Sequence, residues 1–204
     1  MKAAANTATS ASQSGPSNGR SSAVVSAPSL AGRRALAVLL GAALVAIAAQ
    51  IAIPLPGTPV PMTLQPLAVL LVGALLGPSL GAGSMILYLA LGAAGLPVFT
   101  PYGLPGLARL VGPTGGYLLA YPVAAFAVGK IAGDGRRVPR IALAVAAGLV
   151  LIHLGGLAQL AILTGSGSGA VRLGTLPFLA GDLAKLVIAV LLLRPTIRPV
   201  RTRL

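Results

Sequence analysis

An acidic and a basic side chain lie three residues apart in an apolar stretch near the end of the chain. Asp182 and Lys185 fall within residues 173–193, which are otherwise almost entirely apolar. Spacing of three residues puts both side chains on one face of a helix. A charge in hydrocarbon is costly and usually has a function. The pair therefore predicts either a binding site for a polar small molecule or an ion pair that only locks the helices together.

The composition is that of an integral membrane protein. The chain has 204 residues, of which 56% are hydrophobic and 8% charged, whereas about 25% are charged in soluble domains. Its mean hydropathy is +0.94. The net charge of +13 would suggest nucleic acid as a partner of a soluble protein. Here the basic residues flank apolar runs, so we expect no nucleic acid partner and explain the charge by membrane topology.

The sequence also lacks the residues that several kinds of chemistry require. It contains no cysteine and a single histidine, which excludes disulfides, thiolate metal sites and centres with several histidines. No Walker A motif, Ser/His/Asp set or H-E-x-x-H motif occurs. We therefore expect no enzyme activity, no cofactor, no metal and no nucleotide site in this chain.

Six apolar runs predict an all-α membrane domain with six transmembrane helices. Each approaches the ~20 residues that a spanning helix needs. The second and third runs are short and separated by Pro78-Ser79, so they could be two tilted helices or one broken hairpin. The runs cover residues 35–53, 63–77, 80–96, 113–132, 141–164 and 175–193.

The predicted domain, residues 32–194, lies between two polar segments. Residues 1–31 are rich in Ala, Ser and Gly, and we expect a disordered tail, although a plastid transit peptide has a similar composition. Residues 195–204 are expected to form a basic cytoplasmic tail.

Basic residues predict the orientation of the six helices. With six helices, only Arg109 and Arg172 among the flanking charges lie on one side. This bias predicts that both termini are cytoplasmic and that the protein is a multi-pass protein of the bacterial cell membrane. The basic residues on the cytoplasmic side would be Lys2, Arg20, Arg33, Arg34, Lys130, Arg136, Arg137, Arg140, Arg194, Arg198, Arg201 and Arg203.

The long external loop, residues 97–112, is too apolar for a solvated linker. We expect it to fold back over the helices as a lid, with Arg109 as its only charge. If the sixth helix begins near Pro177, Asp182 lies about 8 Å below its start. Arg109, Asp182 and Lys185 could then meet in one outward-facing cavity, where an anionic ligand would balance their charge.

Other polar side chains are weaker candidates. Gln65 and Gln159 lie in apolar surroundings, where amides more often join helices than bind ligands. Tyr88 and Tyr117 could line a pocket or only pack. His153 is interpreted as a hydrogen-bonded core residue rather than a ligand or proton relay.

Small residues recur on the first predicted helix, at Gly41, Ala42 and Ala46. This pattern permits close helix approach. It could serve packing within the chain or docking of a partner membrane protein.

Several motifs, in order along the chain, resemble the BioY family, the biotin-binding S components of energy-coupling-factor (ECF) transporters. The resemblance covers about residues 35–193. The motifs are Val60-Pro61-Met62-Thr63-Leu64-Gln65, Gly77-Pro78, Gly92-Ala93-Ala94-Gly95-Leu96-Pro97-Val98-Phe99, Gly112-Pro113-Thr114-Gly115-Gly116-Tyr117 and Leu176-Pro177-Phe178-Leu179-Ala180-Gly181-Asp182-Leu183-Ala184-Lys185.

The resemblance implies a six-helix domain in the membrane lipid with an outward biotin pocket. It assigns biotin contacts to Asp182 and Lys185, maps the loop arginine onto Arg109 and puts Gln65, Tyr88 and Tyr117 near the pocket. It also implies that Gly41, Ala42 and Ala46 of the first helix dock an ECF transmembrane coupling protein, which is driven by two ATPase subunits.

Two functions remain open at this point. The first is high-affinity biotin binding and uptake as the substrate-specificity subunit of an ECF-type transporter. The second is a stand-alone secondary transporter of a small organic anion, with Asp182 as the site of proton coupling.

Overall fold

The computed structural model describes residues 29–204 and consists mainly of six long helices. They are α1 (Leu30–Gln50), α2 (Gln65–Leu76), α3 (Pro78–Ala93), α5 (Gly115–Ala132), α6 (Val138–Thr164) and α8 (Leu179–Arg201). Two shorter helices, α4 (Leu107–Val111) and α7 (Gly167–Gly174), lie in the connections, and a 3₁₀ turn, Leu176–Phe178, precedes α8. The six-helix fold predicted from the apolar runs is confirmed, and residues 1–28, which include most of the predicted tail, lie outside the described part.

Long apolar helices fit the membrane assignment. The spans over Leu30–Gln50, Gly115–Ala132, Val138–Thr164 and Gly167–Arg201 are long and apolar enough to cross a bilayer, and α2 and α3 are shorter apolar helices. Large apolar side chains face outward all around the bundle; Ile47 is 64% exposed and Ile162 is 81% exposed. Lipid can cover such a surface, whereas on a soluble protein patches of this kind would drive association.

The second and third apolar runs form two separate helices. Gly77 joins them with φ at +84°, a conformation that side chains with a Cβ rarely adopt. Glycines then let the backbones approach closely. A Cβ at Gly81 would lie 2.8 Å from the Cα of Gly73, and one at Gly73 would lie 2.5 Å from the carbonyl oxygen of Ala125. The hairpin of α2 and α3 therefore packs tightly on α5.

Helix α2 lies at the centre of the bundle and is too short to span it. It contacts α1, α3, α5, α6 and α8. Its 12 residues extend about 18 Å at 1.5 Å per residue, against a hydrocarbon thickness of ~30 Å. Gln65, the first residue of α2, is only 4% exposed, so the helix starts inside the bundle, and Gln65 lines a cavity there.

A two-stranded ribbon follows α1, which the all-α prediction did not include. Strand β1 (Ala52–Ile53) pairs antiparallel with β2 (Met62–Thr63). The proline-rich segment 54–61 cannot continue α1, and the ribbon returns the chain to the start of α2. Thr63 is thereby buried beside Gln65.

Helix α8 continues beyond the predicted membrane segment. Residues 195–201, expected to belong to a basic tail, are helical despite Pro195 and Pro199. The Arg201 guanidinium donates to the carbonyl oxygens of Ala74 (2.9 Å and 2.6 Å), Gly129 (2.9 Å) and Gly133. These carbonyls belong to the C-terminal ends of α2 and α5, whose last turns lack helical partners. The end of α8 is thus fixed to the bundle.

The small residues of α1, for which the sequence left packing within the chain and docking of a partner both open, take part in the packing of this chain. Gly41 is buried, and a Cβ there would lie 2.5 Å from the Ser84 Oγ. Ala42 is 3% exposed in the core, and Ala46 is half-buried and packs against the same core. The exposed face of α1 carries large apolar side chains instead, including Leu40 and Ile47.

Candidate substrate-binding site

A cavity lies above the N-terminus of α2 and holds most of the buried polar side chains. The empty space between its walls, together with the open solvent at its mouth, amounts to about 610 Å³. Its walls come from the α1–α2 connection, the 97–112 loop, α5, α6 and α8. The lining residues are Val60, Pro61, Thr63, Gln65, Pro66, Phe99, Thr100, Arg109, Thr114, Tyr117, Leu118, Tyr121, Leu149, Ile152, His153, Phe178, Asp182 and Lys185.

Asp182 is held by two protein groups in this cavity. Its Oδ1 accepts from the Lys185 Nζ at 3.0 Å, and its Oδ2 lies 2.6 Å from the His153 Nε2. Asp182 and Lys185 are 8% and 5% exposed. The predicted ion pair is present, and removal of either partner would leave the other charge buried and uncompensated.

The start of α8 supplies part of the stabilisation of Asp182. The sequence pattern put the helix start near Pro177, but α8 begins at Leu179 after the 3₁₀ turn. Asp182 is therefore in the first turn, where unpaired N–H groups carry partial positive charge. Since a carboxylate is stabilised there, the chain can keep a negative charge next to an apolar cavity.

Gln65 lies at the floor of the cavity and is oriented from behind by Tyr88. The Gln65 Nε2 donates to the Tyr88 hydroxyl at 2.6 Å, and the Thr63 hydroxyl donates to the Gln65 Oε1 at 3.4 Å. Tyr88 is fully buried and packs edge-on against Phe99 of the loop, with 5.4 Å between ring centroids. Of the two roles that the sequence left open for Tyr88, the structure shows packing: it supports two residues that line the cavity.

Arg109 organises the external loop from within. Its Nε donates to the Leu104 carbonyl at 2.8 Å, its Nη1 to the Thr100 hydroxyl at 2.8 Å and its Nη2 to the Thr100 carbonyl at 2.8 Å. Arg109 is 5% exposed, and this burial lowers its pKa, although an arginine stays charged. Phe99 and Thr100 are buried as well. The predicted lid is thus a folded segment with Arg109 on the cavity wall.

Amides and hydroxyls from other elements fix the rest of the mouth. The Gln50 Nε2 donates to the Phe99 carbonyl at 3.0 Å. The Gln159 Nε2 donates to the carbonyls of Leu110 at 3.1 Å and Gly112 at 2.6 Å, so Gln159 joins helices as expected. The Tyr117 hydroxyl donates to the Gly174 carbonyl at 2.6 Å while its ring faces the cavity.

The structure brings together five of the six predicted binding residues: Gln65, Arg109, Tyr117, Asp182 and Lys185 line one cavity. His153 also lines it and contacts Asp182, although the sequence favoured a core role. The rule that ionisable residues within the membrane are functional by default would have identified it. Among residues 29–204 no group of His, Cys, Asp and Glu could hold a metal.

An apolar membrane cavity with a few convergent polar groups defines a substrate-binding membrane protein. The BioY family model matches residues 20–202, and this chain therefore belongs to the BioY family, a family of transporters rather than enzymes.

Similar proteins support this assignment. A probable biotin transporter BioY of Pyrococcus horikoshii is 43% identical over 155 residues, covering 76% of this chain and 90% of the relative. The biotin transporter BioY of Thermotoga maritima is 39% identical over 150 residues, which cover 74% of this chain and 87% of the relative. The crystal structure of an S-component for biotin from an ECF-type ABC transporter superposes with a TM-score of 0.74 at 26% identity, covering 83% of this chain and 94% of that one.

Proposed function

We propose that this protein binds biotin in the cavity above α2 and mediates its uptake as the substrate-specificity subunit of an ECF-type transporter. The observation that carries the proposal is the Asp182–Lys185 pair on the wall of an apolar cavity, at 3.0 Å and almost fully buried. A structural ion pair has no need of an adjoining cavity, whereas a binding site does.

Biotin complements the polar groups of the cavity. Its ureido ring has two N–H donors and one acceptor oxygen. Asp182 accepts from an N–H, Lys185 donates to an oxygen, and the apolar walls enclose the thioether ring and the valeryl chain. Gln65 on the floor and Tyr117 on the side wall add hydrogen bonding and packing around the ring.

Arg109 is positioned to receive the carboxylate of the ligand. Its guanidinium has five N–H donors, and the three hydrogen bonds to Thr100 and Leu104 leave one N–H on each Nη without a partner in residues 29–204. A charged N–H donor forms a strong hydrogen bond with a carboxylate. Because the same guanidinium holds the loop, the ligand would also stabilise the closed mouth.

Transport would require partners that supply energy. The sequence has no nucleotide-binding motif, and the superposed crystal structure is described as an S-component of an ECF-type ABC transporter. We infer that a transmembrane coupling protein and ATPase subunits act with this chain.

Equilibrium binding of labelled biotin to the purified chain in detergent tests the proposal. Asp182→Asn should weaken binding about 10- to 100-fold, because a hydrogen bond to a charged group contributes about 1.5–3 kcal/mol. The matched control is Asp134→Asn, which removes the only other acid. Asp134 is exposed and paired with Arg136 at 2.8 Å, so its removal should leave affinity unchanged. If Asp182→Asn bound biotin as tightly as the unmodified protein, Asp182 would be structural and the site assignment would be wrong.

A further inference from the structure

The only histidine of the chain lies between two polar partners at the cavity wall. His153 Nε2 is 2.6 Å from the Asp182 Oδ2, and His153 Nδ1 is 3.3 Å from the Thr175 Oγ1. The side chain of His153 is 17% exposed. The imidazole thus connects the turn before α8 with the carboxylate in the first turn of α8.

The two contacts determine which nitrogen of a neutral imidazole carries the proton. An ionised Asp182 can only accept, so Nε2 must be protonated at 2.6 Å from it. Nδ1 is then the acceptor, and the Thr175 hydroxyl donates to it. Lys185 holds the other oxygen of Asp182 at 3.0 Å, so both carboxylate oxygens are fixed from the protein side.

We propose that His153 is a positioning residue, held by Thr175 and kept in its Nε2–H tautomer by Asp182, that orients Asp182 for ligand binding and weakens that binding when it is protonated. The inference rests on the proposed function of the cavity. An imidazolium makes a charge-assisted hydrogen bond to Asp182, stronger than that of the neutral ring. Oδ2 then becomes less available to a ligand N–H.

The groups around His153 come from α5, from the start of α8 and from the external loop. The ring of Tyr117, on α5, packs edge-on against the His153 imidazole, with 6.0 Å between the ring centroids. The centroid of the Phe178 ring lies 6.5 Å from that of the imidazole. Asp182 and Lys185 face the imidazole from α8, and Arg109 lines the same cavity from the loop. Histidine is the side chain that ordinarily changes charge between about pH 5 and 8, so His153→Gln is the variant that separates its contribution from that of the other groups.

The tautomer can be measured without any ligand. Because His153 is the only histidine, ¹⁵N-histidine labelling of a chain without a polyhistidine tag gives one imidazole. Near pH 8 its nitrogen shifts should show a protonated Nε2 and an unprotonated Nδ1, and Thr175→Val should keep this tautomer, because Asp182 still accepts from Nε2. A protonated Nδ1 in either protein would overturn the proposal.

The effect of His153 protonation on ligand affinity can be tested with biotin amide, which has no titratable group. Its binding is measured from about pH 8 to about pH 5.5. The unmodified protein should lose about tenfold in affinity as the imidazole protonates. His153→Gln keeps an N–H donor but cannot titrate, so its affinity should be independent of pH. Thr175→Val keeps the histidine and should bind several-fold more weakly near pH 8.

The outcomes separate this inference from the proposed function. Binding that does not vary with pH in the unmodified protein, or varies equally in His153→Gln, overturns the role of His153 and leaves biotin binding intact. Absence of binding of biotin and its amide at every pH overturns the proposed function, and the tautomer measurement then decides the part played by Asp182 and His153 alone. If His153→Gln does not fold, Thr175→Val provides the test.

Discussion

At the scale of residues, the cavity combines one negative and two positive buried side chains. Asp182 is matched by Lys185 through a direct contact, whereas Arg109 contacts only neutral groups of its own loop. The walls therefore carry an excess positive charge when His153 is neutral. A ligand with one carboxylate would bring the site to balance, and this favours an organic anion such as biotin over a neutral compound.

Replacement of Arg109 by alanine should weaken biotin more than biotin amide. Both ligands lose the contacts of a loop that Arg109 keeps folded. Only biotin, which has a carboxylate, also loses a charge-assisted hydrogen bond, and such a bond contributes about 1.5–3 kcal/mol to binding. Equilibrium binding of both ligands measures the difference. Arg172→Ala is the control, because Arg172 is an exposed basic residue of α7 on the same side. Equal losses for acid and amide would mean that Arg109 acts only through the loop.

At the scale of elements, close backbone approach and side-chain caps set the positions of the helices. Glycines bring α2, α3 and α5 together, α1 packs its small residues against Ser84 of α3, and Arg201 joins the ends of three helices. Since α2 supplies the floor of the cavity, contacts that fix α2 also fix Gln65.

Ala42→Leu should destabilise the protein, because added bulk at a site 3% exposed strains a packed core by about 1–3 kcal/mol. The neighbouring Ala43 is exposed, so Ala43→Leu should change stability by less than about 0.5 kcal/mol. Thermal unfolding in detergent compares the two. Equal stability of the two variants would show that α1 is not packed as described.

Arg201→Ala should loosen the last turns of α8 and the ends of α2 and α5. The carbonyl oxygens there lose a charged donor, and each buried carbonyl left without a partner costs about 1–3 kcal/mol of stability. Hydrogen exchange of residues 195–201 should rise while biotin affinity is retained. Arg203→Ala removes an exposed charge nearby and serves as control. Unchanged exchange in Arg201→Ala would contradict an anchoring role.

At the scale of the molecule, α1 begins and α8 ends at the same end of the bundle, where the Arg34 Nε lies 3.4 Å from the Leu204 carbonyl oxygen. The cavity opens at the other end. Basic residues concentrate at the end away from the cavity, which by the positive-inside rule is cytoplasmic. The site would then open to the outside, as uptake requires.

Reporter fusions test this orientation. Reporters placed before Ser29 and after Leu204 should both be cytoplasmic, and one inserted within residues 101–104 should be external. Reporters at the two ends on opposite sides of the membrane would contradict six spans.

Uptake experiments separate the two modes of energy supply. Biotin uptake by cells should be lost when the ATPase subunits are deleted and should persist in the short term with a protonophore, provided that ATP is maintained. Uptake that is independent of the ATPases and abolished by the protonophore would instead support a secondary transporter.

The sequence by itself determined the class of fold and most of the candidate site. Apolar runs and flanking charges specify six helices, because the bilayer imposes one length and one charge asymmetry on every span. Asp182, Lys185 and Arg109 were identifiable because charges within apolar segments are costly. These inferences need only local composition.

The tertiary structure decided which residues meet. His153 contacts Asp182, 29 residues away, and Tyr88 lies behind Gln65 rather than on the cavity wall. Gly41 lies against Ser84, and Ala42 is buried in the core. The rotation of each helix and the relative depth of its ends follow from packing between distant segments, and no local pattern specifies them. The cavity itself arises because α2 starts deep in the bundle, a property of the whole arrangement.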